Sequence, residues 1–206
     1  MTITSGYCTL AEYKAFKQVR GGSTSTDTAD DAVVEDIIEL VSRYIDGQTG
    51  RRFFKNSTDE TRYFKAESGN KCQIDDLSAA PTSVSVDYDN SRSYTALTIA
   101  GDVELDPINA LLDGQPYTTL YILPTSSAYF PEEVRNGVKI VGKFGYPAVP
   151  EDIKNLTMGI ALNIDANRAG QVGAGAVSVT ASGVVIRPQD VPSWGQPIIA
   201  YHRKYR

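Results

Sequence analysis

Val33, Val34, Ile37, Ile38, Val41, Tyr44 and Ile45 recur at spacings of three and four, one apolar stripe along about three turns of helix. Glu35, Asp36, Glu39 and Arg43 take the other faces. A helix gains most of its stability from packing such a stripe, so the chain must supply partners to cover it. Asp27 or Thr28 is placed to cap this helix, Asp30 and Asp31 fall in its first turn where the dipole favours anions, and Gly47 or Gly50 ends it. Two partners are legible. Thr9 followed by Glu12 forms a capping box that opens a short helix from Leu10 to Val19, with Gly21-Gly22 to stop it. Glu151-Asp152 opens a third helix whose apolar face is Ile153, Leu156, Ile160, Ala161 and Ile164.

Between the second and third helices, from Arg51 to about Phe144, the helical period disappears. Short segments rich in β-branched and aromatic residues replace it: Arg62-Tyr63-Phe64, Ser83 to Tyr88, Tyr94 to Leu97, Thr119 to Leu123, and Val138 to Val141. Asp89-Asn90 and Asn136-Gly137 supply turns. With no βαβ alternation, this predicts an antiparallel module of about five to seven strands. Gly145-Tyr146-Pro147-Ala148-Val149-Pro150 breaks the last strand. After the third helix, Gly170 to Gly175 reads as a link, Ala176 to Ile186 as a hairpin turning at Ser182-Gly183, and Trp194 to Arg206 as a short amphipathic tail. The fold class is α+β: a small α-helical bundle with an inserted antiparallel β domain and a C-terminal hairpin plus tail. The divisions are residues 1–50 and 146–170 for the helical body, 51–145 for the β insertion, and 171–206 for hairpin and tail.

Composition removes whole classes of function. Acids outnumber bases 25 to 20, for a net charge of −5. Proteins that grip phosphate backbones depend on clustered Lys and Arg, so this balance argues against nucleic-acid binding. Two cysteines, Cys8 and Cys72, give no disulfide framework, and with one histidine, His202, a closed Cys/His zinc site is not expected. A Ser-His-Asp triad would have to recruit that single terminal histidine. The longest aliphatic or aromatic run, Leu120 to Leu123, falls far short of the ~20 residues that span a bilayer. The first twenty residues lack a charged segment followed by an apolar one, so no secretory leader is expected. The reading is a soluble chain with no cofactor and no metal.

Asp75-Asp76 is the most enzyme-like pair. In a strand, adjacent carboxylates point to opposite faces and do not converge, so a solvated turn is the favoured reading. Glu132-Glu133 reads as loop charge. Gly170-x-x-Gly173-x-Gly175 follows a helix and precedes a β segment, the reverse of a phosphate loop. Arg51-Arg52-Phe53-Phe54 and Arg62-Tyr63-Phe64-Lys65 interleave bases with aromatics; an alternating strand, apolar side in and basic side out, is preferred to a single-strand nucleic-acid platform. Charge is uneven. Residues 27–46 carry seven acids and one base (−6), residues 66–135 eleven acids and three bases (−8), residues 51–65 five bases and two acids (+3), and residues 187–206 four bases and one acid (+3). Trp194, Ile198, Ile199, Tyr201 and Tyr205 put large apolar area beside Arg203, Lys204 and Arg206 on a terminal segment, a mixture that interface cores favour. His202 reads there as an interfacial or exposed histidine.

The order of these pieces resembles the head–tail connector (adaptor) proteins of tailed bacteriophages. The likeness rests on the capped helix at Thr9 to Lys14, the acidic-capped helix from Asp30 to Ile38, Tyr44 to Phe53 with its Thr49-Gly50-Arg51-Arg52-Phe53 segment, Gly142 to Lys154 with its Gly145-Tyr146-Pro147-Ala148-Val149-Pro150-Glu151-Asp152-Ile153 segment, and the closing Tyr201 to Arg206. The resemblance implies a non-enzymatic virion protein of the neck, assembled in the host cytoplasm as a homo-oligomeric ring, commonly a dodecamer. Such a ring lies beneath the portal protein, extends the DNA channel without binding the DNA specifically, and presents a surface to the next neck or tail protein. It also implies portal docking through Trp194, Ile198, Ile199, Tyr201, His202, Arg203, Lys204, Tyr205 and Arg206, and a ring body built from helices at residues 28–46 and 151–168. The alternatives are a stopper or tail-completion protein of the neck and, from a different class, a hydrolase using Asp75 or Asp76.

Overall fold

The computed structural model describes residues 3–20, 28, 30–168, 179–180, 183–184 and 191–204. The Asp27 cap, the Gly21-Gly22 stop, the Gly170–Gly175 link, Ser182, Tyr205 and Arg206 lie outside the described residues. The chain is α+β and divides into two compact units. One comprises residues 1–51 and 149–206; the other is Arg52–Ala148.

In the helical unit, α1 (Leu10–Val19), α2 (Asp31–Thr49), α3 (Glu151–Arg168) and α4 (Gly195–His202) pack on one another. The capping box forms as the sequence requires: Glu12 N–H donates to Thr9 Oγ1 at 3.2 Å and Thr9 N–H to Glu12 Oε2 at 2.7 Å. These bonds hold the Glu12 carboxyl below its ordinary range, and the ammonium of Lys154 adds to the effect. The α2 helix begins at Asp31 with Asp30 at the N-cap, later than Asp27 or Thr28 would allow, and ends at Gly50 in the left-handed conformation. Its buried stripe is Val34, Ile37, Ile38, Val41, Ser42, Ile45 and Thr49. Val33 is exposed and Tyr44 only half-buried, so two hydroxyl residues replace them in the core. Each hydroxyl donates to the carbonyl four residues back, Ser42 to Ile38 and Thr49 to Ile45, both at 2.8 Å. The polar atom is satisfied within the helix and its burial costs little. On α3 the five expected apolar residues are all buried. Asp165 joins them at 3% exposure, held by the Tyr13 hydroxyl at 2.9 Å and Lys17 Nζ at 2.7 Å. A two-stranded pair, β8 (Val179–Thr180) with β9 (Gly183–Val184), marks the hairpin; Gly183 pairs with Thr180 and so stands in the strand.

The β unit contains β1 (Glu60–Phe64), β2 (Lys71–Leu77), β3 (Ser83–Val86), β4 (Thr95–Leu97), β5 (Val103–Asp106), β6 (Tyr117–Ile122) and β7 (Val138–Gly142). They form two antiparallel sheets, ordered β1-β7-β3-β4 and β2-β6-β5. Val84, Val86, Leu97, Val138 and Ile140 from the first sheet and Cys72, Ile74, Leu77, Val103 and Leu120 from the second bury into one core. Every second residue of β7 is buried, as a sheet with one covered face requires. The unit is closed where its two chain ends meet. Gly145 adopts φ +109°, and a Cβ there would stand 1.9 Å from the Phe54 carbonyl oxygen. Beside it, Asn56 N–H donates to Phe144 O at 3.0 Å, and the rings of Phe53 and Tyr146 lie 4.8 Å apart. Tyr146 therefore belongs with the β unit, and the division falls after Ala148 and not after residue 145.

Gly145→Ala combines a positive-φ side chain with a backbone clash. It is expected to lower unfolding free energy by about 3 kcal/mol or more, read by denaturant titration.

Candidate functional site

The C-terminal segment is a helix docked on its own unit. Its approach to α3 requires two glycines. A Cβ at Gly159 would meet Trp194 Cζ2 at 2.8 Å, and one at Gly195 would meet Leu156 Cδ1 at 2.4 Å. The indole of Trp194 therefore lies over the bare backbone of Gly159, leaving 39% of Trp194 exposed. Ile199 is buried, Ile198 half-buried and Tyr201 77% exposed. His202, read from sequence as interfacial or exposed, is 5% exposed; its Nε2 lies 2.8 Å from Asp152 Oδ2 in the first turn of α3. Arg203 Nε donates to Gln48 O at 3.2 Å and Lys204 N–H to Thr49 O at 2.8 Å. The Arg203 guanidinium thus stands at the C-terminal end of α2, where the helix dipole favours positive charge. The segment divides into an anchoring side, Ile199 and His202, and an outward side, Trp194, Tyr201 and Arg203.

The other candidates resolve into structural roles. Asp75 and Asp76 lie in β2 and not in a solvated turn. Asp75 Oδ2 accepts from Arg62 Nη1 at 2.9 Å, and Asp76 is buried. β2 shifts register between Gln73 and Leu77, which carries the two acids through the irregular stretch. Glu132 Oε1 accepts from Gly69 N–H at 2.7 Å, a tie between distant loops. Burial pushes the thiols of Cys8 and Cys72 up to about 12, so neither supplies a thiolate at neutral pH. Among the described residues, no group of three or more His, Cys, Asp or Glu side chains could hold a metal ion, and no helix is long and apolar enough to cross a membrane.

The basic and aromatic residues of β1 depart from the simple alternation. Phe64 packs against the core and Arg62, of the same parity, lies over the Phe144 ring at 4.1 Å. Tyr63 and Lys65 consequently point outward. Tyr63 sits 5.9 Å from Tyr94, whose ring carries Lys139 Nζ at 4.7 Å. The β unit carries one further feature that no sequence motif marks. The turn after β5 exposes Ile108, Leu111 and Leu112, the last at 86%, and buries only Ala110. The signal was an apolar run too short for a helix or strand, bounded by Asp106-Pro107 and Asp113-Gly114.

No protein family's sequence profile matches the chain, and no curated protein matches it. Among solved structures the chain is similar to one from the neck of an empty gene-transfer-agent (GTA) particle, computed with C6 symmetry. The TM-score is 0.58 at 15% identity, and the match covers 100% of this chain and 94% of the other. The shared fold takes in both the helical unit and the β unit of this chain.

Trp194 is the chain's single tryptophan and reports on the docked segment. Gly159→Ala is expected to lift the indole off α3 and shift its emission to longer wavelength; an unmoved spectrum would refute the close packing.

Proposed function

We propose that this chain is a structural head–tail connector of a tailed-phage-type particle. In this reading copies form a ring beneath the portal protein, extend the DNA channel, and offer a surface to the next neck or tail component. The single observation that carries the reading is the end-to-end likeness to a neck chain, which spans both units and not merely a common motif. The C6 symmetry of that assembly favours a ring, and a dodecamer is compatible with six-fold averaging. Its place is the virion neck, after assembly in the host cytoplasm. The work in this reading is non-enzymatic: of the two carboxylates that the hydrolase alternative would enlist, Asp75 is ion-paired with Arg62 and Asp76 is buried in β2.

The outward side of the C-terminal helix is the portal-docking surface. Trp194, Tyr201 and Arg203 are the residue types that dominate interface energetics when buried at a patch centre. Ile199 and His202 serve the same surface indirectly, by fixing the helix that presents it. Tyr201→Asp leaves this anchoring intact and is expected to weaken co-sedimentation with the portal by at least about tenfold, the scale of a lost hot spot. Unchanged binding would remove the docking role. A portal interaction lost only on Ile199→Ala would make the segment a scaffold alone. Binding to the portal with no other neck protein present favours the connector that lies directly beneath it, and no binding favours the stopper or tail-completion alternative, so the same assay separates the two.

A channel wall should not hold the duplex it guides. Each neutralised phosphate releases counterions and tightens the grip, whereas an acidic surface lets the duplex slide. Affinity for duplex DNA is expected to be negligible at physiological ionic strength by fluorescence anisotropy. Tight binding with a steep salt slope would contradict the channel role.

A further inference from the structure

The exposed turn at Ile108, Leu111 and Leu112 borders a groove of about 270 Å³ lined by Ile99, Val103, Leu105, Tyr117, Leu123 and Glu104. Ile108 is shared by turn and groove, so the two form one continuous apolar patch. Its rim is acidic, with Glu104 and Asp113 exposed and Asp106 half-buried. No Lys or Arg occurs anywhere from Ser93 to Val134. A complementary partner is therefore an apolar or aromatic surface carrying ammonium or guanidinium groups.

The same unit carries such a surface on its other sheet. Tyr63 and Lys139 are register partners on β1 and β7, facing away from the core that Phe64, Val138 and Ile140 enter. Tyr94 lies against both, and Lys65 is exposed just past the end of β1. Of the acids near this face, Glu60 is ion-paired with Arg62 at 2.8 Å, while Asp59 accepts from the Thr82 hydroxyl at 2.5 Å. The unit thus exposes an acidic apolar patch at the edge strand β5 and a basic aromatic face on the four-stranded sheet.

We propose that the acidic apolar patch of one copy docks on the Tyr63–Tyr94–Lys139 face of a second copy, as the contact that closes the ring. The inference takes the ring from the reading above and assigns the two surfaces that join its members. Two different patches on each copy make a head-to-tail contact, and each added copy leaves one patch open for the next. Glu104 and Asp113 meet Lys65 and Lys139, while Leu112 and Ile108 meet the tyrosine rings.

The test replaces Leu112 with photoreactive benzoylphenylalanine in the full chain. Irradiation is carried out both on a mixture of isotopically light and heavy purified protein and on assembled particles. The expected products join residue 112 to residues 61–65, 94–97 or 138–142 of another copy. Lys65→Glu with Lys139→Glu should cut their yield by at least about tenfold, and adding Glu104→Lys with Asp113→Lys should restore it. Cross-links to another protein, to any other segment, only within one copy, or none in either sample would overturn the proposal. If residue 112 captures the portal or another neck protein, the neck reading survives and this inference fails. If the copy-to-copy product forms but the chain is absent from particles, this inference survives and the neck reading fails.

Discussion

The fold depends on a close approach between two backbones. Gly145 brings the strand leaving β7 against the segment entering β1, so near that a methyl group would overlap the Phe54 carbonyl. Because of this contact the β unit begins and ends at one place, with the tilted rings of Phe53 and Tyr146 in contact beside the crossing. A domain whose ends are adjacent can be inserted in another fold without stretching it, since the host chain need only open a narrow gap. The Thr49-to-Phe53 and Gly145-to-Ile153 segments, the most specific pieces of the sequence resemblance, are the two passages between the units. Their residues are constrained by backbone geometry: left-handed Gly50 ends α2, and Gly145 permits the crossing.

Helices were more legible in the sequence than strands. The capping box, the acids opening α3 and its apolar face follow from local rules, because a helix's hydrogen bonds are internal. The stripe of α2 was misplaced at Val33 and Tyr44. Ser42 and Thr49 bury without apolar side chains because each satisfies its hydroxyl on the preceding turn. Five strands fell on β-branched or aromatic runs, whereas β2 and β5 did not. β2 carries Asp75 and Asp76, and β5 reads Val-Glu-Leu-Asp. Their pairing is set by β6, to which both are joined at long range. Composition alone does not encode such a partner.

The surfaces were legible in part. Aromatics and bases at the C-terminus mark a segment of large apolar area, but which of its residues anchor the helix and which stand exposed needed the helix phase and the glycines beneath it. His202 shows why: a histidine in a basic tail reads as exposed, yet it lies one helix face away from Tyr201 and meets a carboxylate distant in sequence. The apolar turn at residues 108–112 was hidden for the opposite reason. Short apolar runs normally bury, and only the structure distinguishes Ala110, which does, from Leu112, which does not.

Acidity also acquires a finer meaning once partners are known. Along α2, Asp31 is neutralised by Lys14 and Asp46 by Arg43, whereas Glu39 accepts from the neutral N–H groups of Thr4 and Ser5 and keeps its full charge. Elsewhere Lys17 cancels Asp165 and Lys154 meets Glu12. An ion pair contributes little beyond the Debye length of about 8 Å at physiological salt, so the field felt at a distance comes from carboxylates bonded to neutral groups or to water. In the β unit, Asp89 holds the turn after β3 through the backbone N–H and hydroxyl of Ser91. Asp87 holds the same turn through backbone N–H groups but also pairs with Arg92, and Asp102 braces the turn before β5 through Thr98 and Ser126. Asp89 and Asp102 are held below their ordinary pKa by those bonds and stay charged. Asp89 and Asp102, which tie their loops through neutral donors, therefore supply negative potential around the β unit.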